Sequence, residues 1–206
     1  MFPQKLLEIR DFLATSAIQL SNNFQDGRIN SSFNEQELIE LIGINFDIEK
    51  PPARYWYDFA IPDGKEKIPV NIKVTSTTTA DNLQCKLGIY FALTGQWPDF
   101  PNEIPWNQFF NLLKCNLSTN KEKDYYFLII NKRDPSDIFC NSLKKIDTLV
   151  PNGNNLPFQC NWGNNRIPKQ RTHDEAVRFI LGTFYKSIKL RSEILREFEE
   201  NFRKIL

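Results

Sequence analysis

The seven residues Tyr125 to Asn131 (YYFLIIN) constrain this chain more than any other stretch. They form a near-continuous apolar run without alternation, the pattern of a central strand buried on both faces. A strand of that kind requires helices above and below it, so the reading is an α/β (α+β) domain with a small mixed β-sheet flanked by helices. A second strand unit precedes it. Arg54 to Ile61 (RYWYDFAI) has strand composition, and Ile68 to Thr75 (IPVNIKVT) alternates with a period of two. Pro62-Asp63-Gly64 between them is turn chemistry, which predicts a β-hairpin. Ile138 to Cys140 reads as a further short strand.

The helices follow from spacing and punctuation. Leu6, Leu7, Ile9, Phe12, Leu13 and Ile18 recur at helical intervals, predicting a helix over Pro3 to Leu20. Asn22 to Ser32 reads as a polar loop. The next helix is expected to start near Asn34, with Glu37 completing a capping box, and to stop at Gly43 while burying Leu38, Leu41 and Ile42. Asn82 to Leu93 is expected to be helical and to end at Gly95. Trp97 to Pro105 is a Pro-rich loop and Trp106 to Cys115 a short helix. Asn152 to Thr172 lacks periodicity and reads as a long loop, followed by helix from His173 to about Tyr185 and a charged helix to Leu206. At 206 residues one domain is the natural expectation, covering residues 1–206.

Composition narrows the chemistry. The chain carries 26 Lys plus Arg against 25 Asp plus Glu, so there is no global basic footprint. A nucleic-acid binder with this balance must concentrate its cations on one face. The four cysteines (Cys85, Cys115, Cys140, Cys160) are widely spaced with no CxxC pair, and read as reduced, mostly buried thiols. No apolar run is long enough to span a bilayer, and the N-terminal helix is amphipathic rather than signal-like, so a cytoplasmic protein is expected. The single histidine, His173, excludes His-rich metal sites. Chemistry must rest on carboxylates, lysine or a hard metal ion.

The hairpin supplies such a set. On Ile68 to Thr75 the residues Val70, Ile72 and Val74 share one face, and Asn71 and Lys73 project together on the other. Asp58 lies on the partner strand, close enough to join them. An acid, an amide oxygen and an ammonium thus converge on a rigid sheet. A hard divalent cation such as Mg²⁺ takes oxygen ligands of this kind, and a lysine beside it orients water and stabilises negative charge as it develops on phosphate.

The segment from roughly Ile39 to Leu93 resembles the PD-(D/E)XK restriction endonucleases. The resemblance rests on Tyr57-Asp58-Phe59, the hairpin, Asn71-Ile72-Lys73-Val74-Thr75 and Leu87-Gly88-Ile89-Tyr90, with a weaker echo at Trp162-Gly163-Asn164-Asn165. It implies a restriction-endonuclease-like core and Mg²⁺-dependent hydrolysis of double-stranded DNA at a short specific site, in a prokaryotic cytoplasm. Asp58 and Asn71 would hold the metal and Lys73 would act on water. Two residues depart from the pattern: Tyr57 stands in place of proline, and Asn71 in place of the second acid. An amide brings no charge, so a helper carboxylate is expected from the preceding helix. Glu35 is the first choice because it shares the face of Leu38 and Ile42, with Glu37 and Glu40 as alternatives. Without a helper the chain would be an inactive DNA-binding module. A repair or structure-selective nuclease on the same core is the other reading. Gly88-Ile89-Tyr90 does not signal a GIY-YIG nuclease, since no Tyr-Ile-Gly follows.

Base reading uses Asn or Gln on adenine and Arg or Lys on guanine. The loop 152–172 is the candidate reader, through Gly163, Asn164, Asn165, Arg166, Lys169 and Arg171, with Asn161 and Gln170 nearby. Thr75 and Thr77, with Asp81 and Asn82, are candidates for phosphate contact. A two-fold homodimer is expected of an enzyme that cuts both strands of a palindrome. Helices over 1–22 and 173–206 are the candidate dimerisation elements.

Overall fold

The structure is a computed structural model that describes residues 1–16, 18, 20, 27–83, 85–203 and 205, with the backbone alone at 27–32. Helices α1 (Gln4–Thr15) and α2 (Gly27–Asn45) come first, followed by strands β1 (Phe59–Asp63), β2 (Glu66–Thr75) and β3 (Ala80–Leu83). Helices α3 (Lys86–Thr94) and α4 (Trp106–Asn116) lead to β4 (Tyr126–Asn131) and β5 (Asp134–Ser142). The short strands β6 (Val150–Pro151) and β7 (Phe158–Asn161) precede the long helix α5 (His173–Phe202).

The main sheet has the order β1-β2-β4-β5. β1 and β2 form an antiparallel hairpin, β2 runs parallel to β4, and β4 pairs antiparallel with β5. A parallel pair needs a crossover connection, and here the crossover contains α3 and α4. β4 is the doubly buried strand that YYFLIIN predicts. Leu128 and Ile130 pack with α1 and α2 on one face, whereas Phe127 and Ile129 join a core that includes α3, α4 and α5 on the other. The alternation in β2 falls the same way, with Val70, Ile72 and Val74 in the α1–α2 core. Burying each such side chain contributes about 1.5–3 kcal/mol, and this fixes the register that presents Asn71 and Lys73 to the opposite face.

Several boundaries differ from the sequence reading. The hairpin turn is Gly64-Lys65, because Asp63 still pairs with Glu66 and Gly64 adopts φ 62°, which glycine tolerates without strain. Residues 54–58 are turn-like, with Arg54 at φ 62°, so the strand is shorter than the aromatic run suggested. α2 begins at Gly27 instead of Asn34, and Asn34 is a buried helical residue, not a cap. The part of the expected 22–32 loop before Gly27 lies outside the described residues. α1 ends at Thr15, and its expected extension falls partly on residues that are not described. Residues 80–83 form β3, and α3 starts only at Lys86; packing of Leu83 and Phe158 in the core outweighs helical spacing there. The expected long loop 152–172 contains β7, which joins β3 and β6 in a three-stranded sheet of order β3-β7-β6. The two expected terminal helices are one, opened by a capping box: Thr172 N donates to Glu175 Oε2 at 2.8 Å and Glu175 N donates to Thr172 Oγ1 at 3.3 Å.

No helix among the described residues is long and apolar enough to cross a membrane. All four cysteines are free; Cys140 and Cys160 are buried, but Cys115 is exposed, contrary to the expectation of mostly hidden thiols at that position.

Candidate active site

The site lies beside the start of β1, where β2 continues past its partner. Pairing of the hairpin runs from Asp63–Glu66 to Phe59–Val70, so residues 71–75 of β2 have β4 on one side and no strand on the other among the described residues. Backbone N–H groups on that bare edge need acceptors. Two carboxylates supply them. Asp58 N still donates to Val70 O at 2.9 Å, and Asp58 Oδ2 accepts from Ile72 N at 2.6 Å. One rung further, Glu35 Oε1 accepts from Val74 N at 3.4 Å. Glu35 comes from α2, one turn before Leu38, whose burial seats the helix against β2. Glu37 and Glu40 are exposed, which separates Glu35 from the two alternatives.

Asn71 hydrogen-bonds to the Asp58 carboxylate, and Lys73 interacts electrostatically with Asp58, Glu35 and Asp81. Burial pushes the Glu35 carboxyl up to about 7, with Lys73 opposing and the neighbouring Asp58 charge reinforcing. Burial also raises Asp58, against Lys73, the Ile72 N–H and the Asn71 amide. Asp81 on β3 is raised by burial too, opposed by the Thr75 hydroxyl, Lys73 and the Trp162 indole. Three half-buried carboxylates therefore share one nearby lysine. Such a concentration of perturbed acids marks a candidate functional site.

Asp81 was grouped with the phosphate contacts in the sequence, and its place beside Lys73 had no sequence signal. It depends on the chain turning back at Ser76 to Thr79, with Thr77 at φ 60°, to pair β3 with β7. Its Oδ2 is buried without a hydrogen-bond partner among the described residues.

The residues expected to contact DNA divide sharply. Thr75 and Thr77 are buried, the former turned towards Asp81. Thr77 O accepts from Gly163 N at 2.9 Å, and a Cβ at Gly163 would come within 2.5 Å of that oxygen. The exit of β2 and the loop after β7 are thus one unit, further joined by Asn161 Nδ2 donating to Thr78 O at 3.2 Å and Gln159 Nε2 to Asn82 Oδ1 at 2.8 Å. Asn82 and Asn164 are exposed on this unit. Asn165 is fully buried; its amide donates to Asn161 O at 2.7 Å and Thr148 O at 3.0 Å and accepts from Thr148 N at 2.9 Å. Arg166 makes a two-pronged pair with Asp137 at 2.7 and 2.5 Å. Lys169 lies 3.3 Å from Asp147 Oδ1, and Arg171 donates to the carbonyls of Ile146 and Asp147 at 2.5 and 3.0 Å. These three cations stitch the loop to the body. His173 stands at the start of α5 and bonds Ser118 Oγ through Nε2 at 2.9 Å.

The donor set of Glu35, Asp58 and the Asn71 side-chain oxygen is hard, oxygen-only and undercompensated in charge, which fits Mg²⁺ and not a soft metal. Among the described residues no group of three His, Cys, Asp or Glu side chains is close enough to hold a metal ion. Comparison of the chain with known protein families and with characterised proteins gives no match.

Proposed function

We propose that this chain is a Mg²⁺-dependent endonuclease acting on double-stranded DNA, with a restriction-endonuclease-like arrangement of its core. The observation that carries the reading is the capture of two successive edge N–H groups of β2 by Asp58 and Glu35, with Asn71 and Lys73 on the same strand. The order of a carboxylate-bearing helix, the hairpin, the helical crossover and a parallel strand supports it.

Asp58, Glu35 and Asn71 would hold the metal ion, which supplies Lewis acidity towards phosphate and lowers the pKa of bound water. The chain's own residues do the positioning. The Ile72 and Val74 N–H groups fix one oxygen of each carboxylate, leaving the other to face a ligand. Asn71 donates to Asp58 and so favours its ionised form, against the burial that raises it. Lys73 offsets the carboxylate charge at rest and stabilises negative charge that builds on a phosphate oxygen. The unit made by the β2 exit and the β7 loop borders Asp81 and Lys73, and its exposed Asn82 and Asn164 are the amides placed to meet base edges.

Incubation with plasmid DNA and Mg²⁺ tests the reading. Discrete fragments are expected, and Lys73→Ala should lower the cleavage rate by about a hundred- to a thousandfold while DNA affinity stays close to normal. Wild-type rates in that variant would overturn the assignment of the site. Asn71 in place of an acid favours a second reading, a DNA-binding module without cleavage, for which the same incubation leaves plasmid intact while gel shifts persist.

A further inference from the structure

A cavity of about 390 Å³ opens at the turn end of the β1–β2 hairpin, beside the chain leaving α3 and the approach to β4. Its lining combines two aromatic residues, Phe91 and Trp97, with four charged ones, Lys65, Glu66, Lys67 and Lys123. Lys67 stands six residues before Lys73 on β2, about 20 Å away along the strand, so the cavity is separate from the candidate active site. Trp97 is 38% exposed, yet its ring is held by others: Trp56, Phe91 and Tyr57 lie at centroid distances of 5.1, 5.4 and 5.6 Å. A part-exposed indole that is already fixed loses little freedom when a second ring stacks on it. Of the cations, Lys67 pairs with Glu49 at 2.5 Å, Lys123 pairs with Glu66, and Lys65 has no ion pair among the described residues. The lining therefore carries three positive charges against one negative. An ammonium group has three donors, so a paired lysine keeps donors for a further acceptor.

We infer that this cavity binds a nucleobase joined to a phosphate, the ring stacked on Trp97 and the phosphate held among Lys65, Lys67 and Lys123. The size is that of a small-molecule site, which commonly runs from about 300 to 1,000 Å³. Aromatic side chains stack on any base, because every base has a π-face. A phosphate offers acceptor oxygens to several ammonium groups at once, and lysines bind it as point charges. A purely apolar ligand would leave the lysines without a role, and a bare inorganic anion would leave the indole without one. A free mononucleotide and the phosphorylated end of a DNA strand both carry this chemistry. The inference stands independently of the chemistry assigned to β2.

Calorimetric titration of the full chain with adenosine monophosphate, in the presence of a chelator, should give a dissociation constant below about 1 mM. Adenosine and inorganic phosphate should each bind at least about tenfold more weakly, because each lacks one half of the contacts. Trp97→Ala should weaken binding of the nucleotide by about five- to a hundredfold, the loss of one stacked base. Lys65 is exposed on the turn, so Lys65→Ala leaves the packing intact; it should weaken binding several-fold and flatten its dependence on salt. A single-stranded oligonucleotide phosphorylated at its end separates the two sources. If it binds more tightly than the monophosphate and is displaced by it, the site takes a strand end; if only the monophosphate binds, the site takes a free nucleotide. Absence of binding by both, equal affinity for inorganic phosphate and the nucleotide, or wild-type affinity in Lys65→Ala would each overturn the assignment.

Discussion

Glu35 sits in the protein at an energetic cost that can be measured and removed. Its carboxyl is raised by burial from an ordinary 4.5 to about 7. Between those values the folded chain holds a proton at Glu35 that the unfolded chain has released, so rising pH favours unfolding. The contribution is fully present below about pH 4.5 and lost by the time pH has risen through about 7, and it amounts to about 3 kcal/mol. Glu35→Gln keeps a carbonyl oxygen to accept from Val74 N but has no charge to bury. Without metal, the variant should be more stable than wild type by about 3 kcal/mol at about pH 8, and equal to it at about pH 4. For a chain of this size that is an increase in Tm of about 6–12 °C. Urea and thermal unfolding across this pH range, in the presence of a chelator, give the difference directly. Asp58 and Asp81 titrate in both proteins, so the difference between the two curves reports Glu35 together with its electrostatic coupling to those two acids. Curves that run parallel from acid to alkaline pH would refute the reasoning, because they would show that Glu35 is not held protonated by its surroundings.

Two other substitutions probe the neighbouring residues. Asn71→Asp restores the charge that the strand lacks; it should tighten Mg²⁺ binding by about ten- to a hundredfold, read by metal-induced stabilisation, and lower stability without metal above neutral pH because a second carboxylate then abuts Asp58. Asn165→Ala should cost about 1–3 kcal/mol in denaturant unfolding, since it removes a fully buried amide that bonds Thr148 and Asn161, and should not alter which DNA sequence is bound by the folded fraction.

How much of this was legible in the sequence varies with the physics involved. Tyr125 to Asn131 and Ile68 to Thr75 declare themselves, because burial on two faces and on one face leave different periodicities. The co-location of Asn71 and Lys73 follows from the same period of two. Glu35 was reachable because it lies one turn before Leu38, even though its helix starts seven residues earlier than its capping pattern suggested. Asp81 was hidden: only the non-local pairing of Asp81 with Cys160 turns β3 back towards Lys73. Asn165 and Arg171 misled for a related reason. Amides and guanidinium groups that satisfy buried carbonyls have the same composition as groups that read bases, and the partners that decide between the two are remote in sequence.

The bare edge of β2 has a consequence for solubility. A strand with open N–H and C=O groups is a template for another strand, and chains commonly protect such edges with charge. Here the guards are Asp58 and Glu35, which occupy the outward N–H groups of Ile72 and Val74. Truncating both side chains to Ala removes those acceptors and uncovers the N–H groups of a strand rich in Val and Ile. The acids that define the site also keep one chain's sheet from growing onto the next.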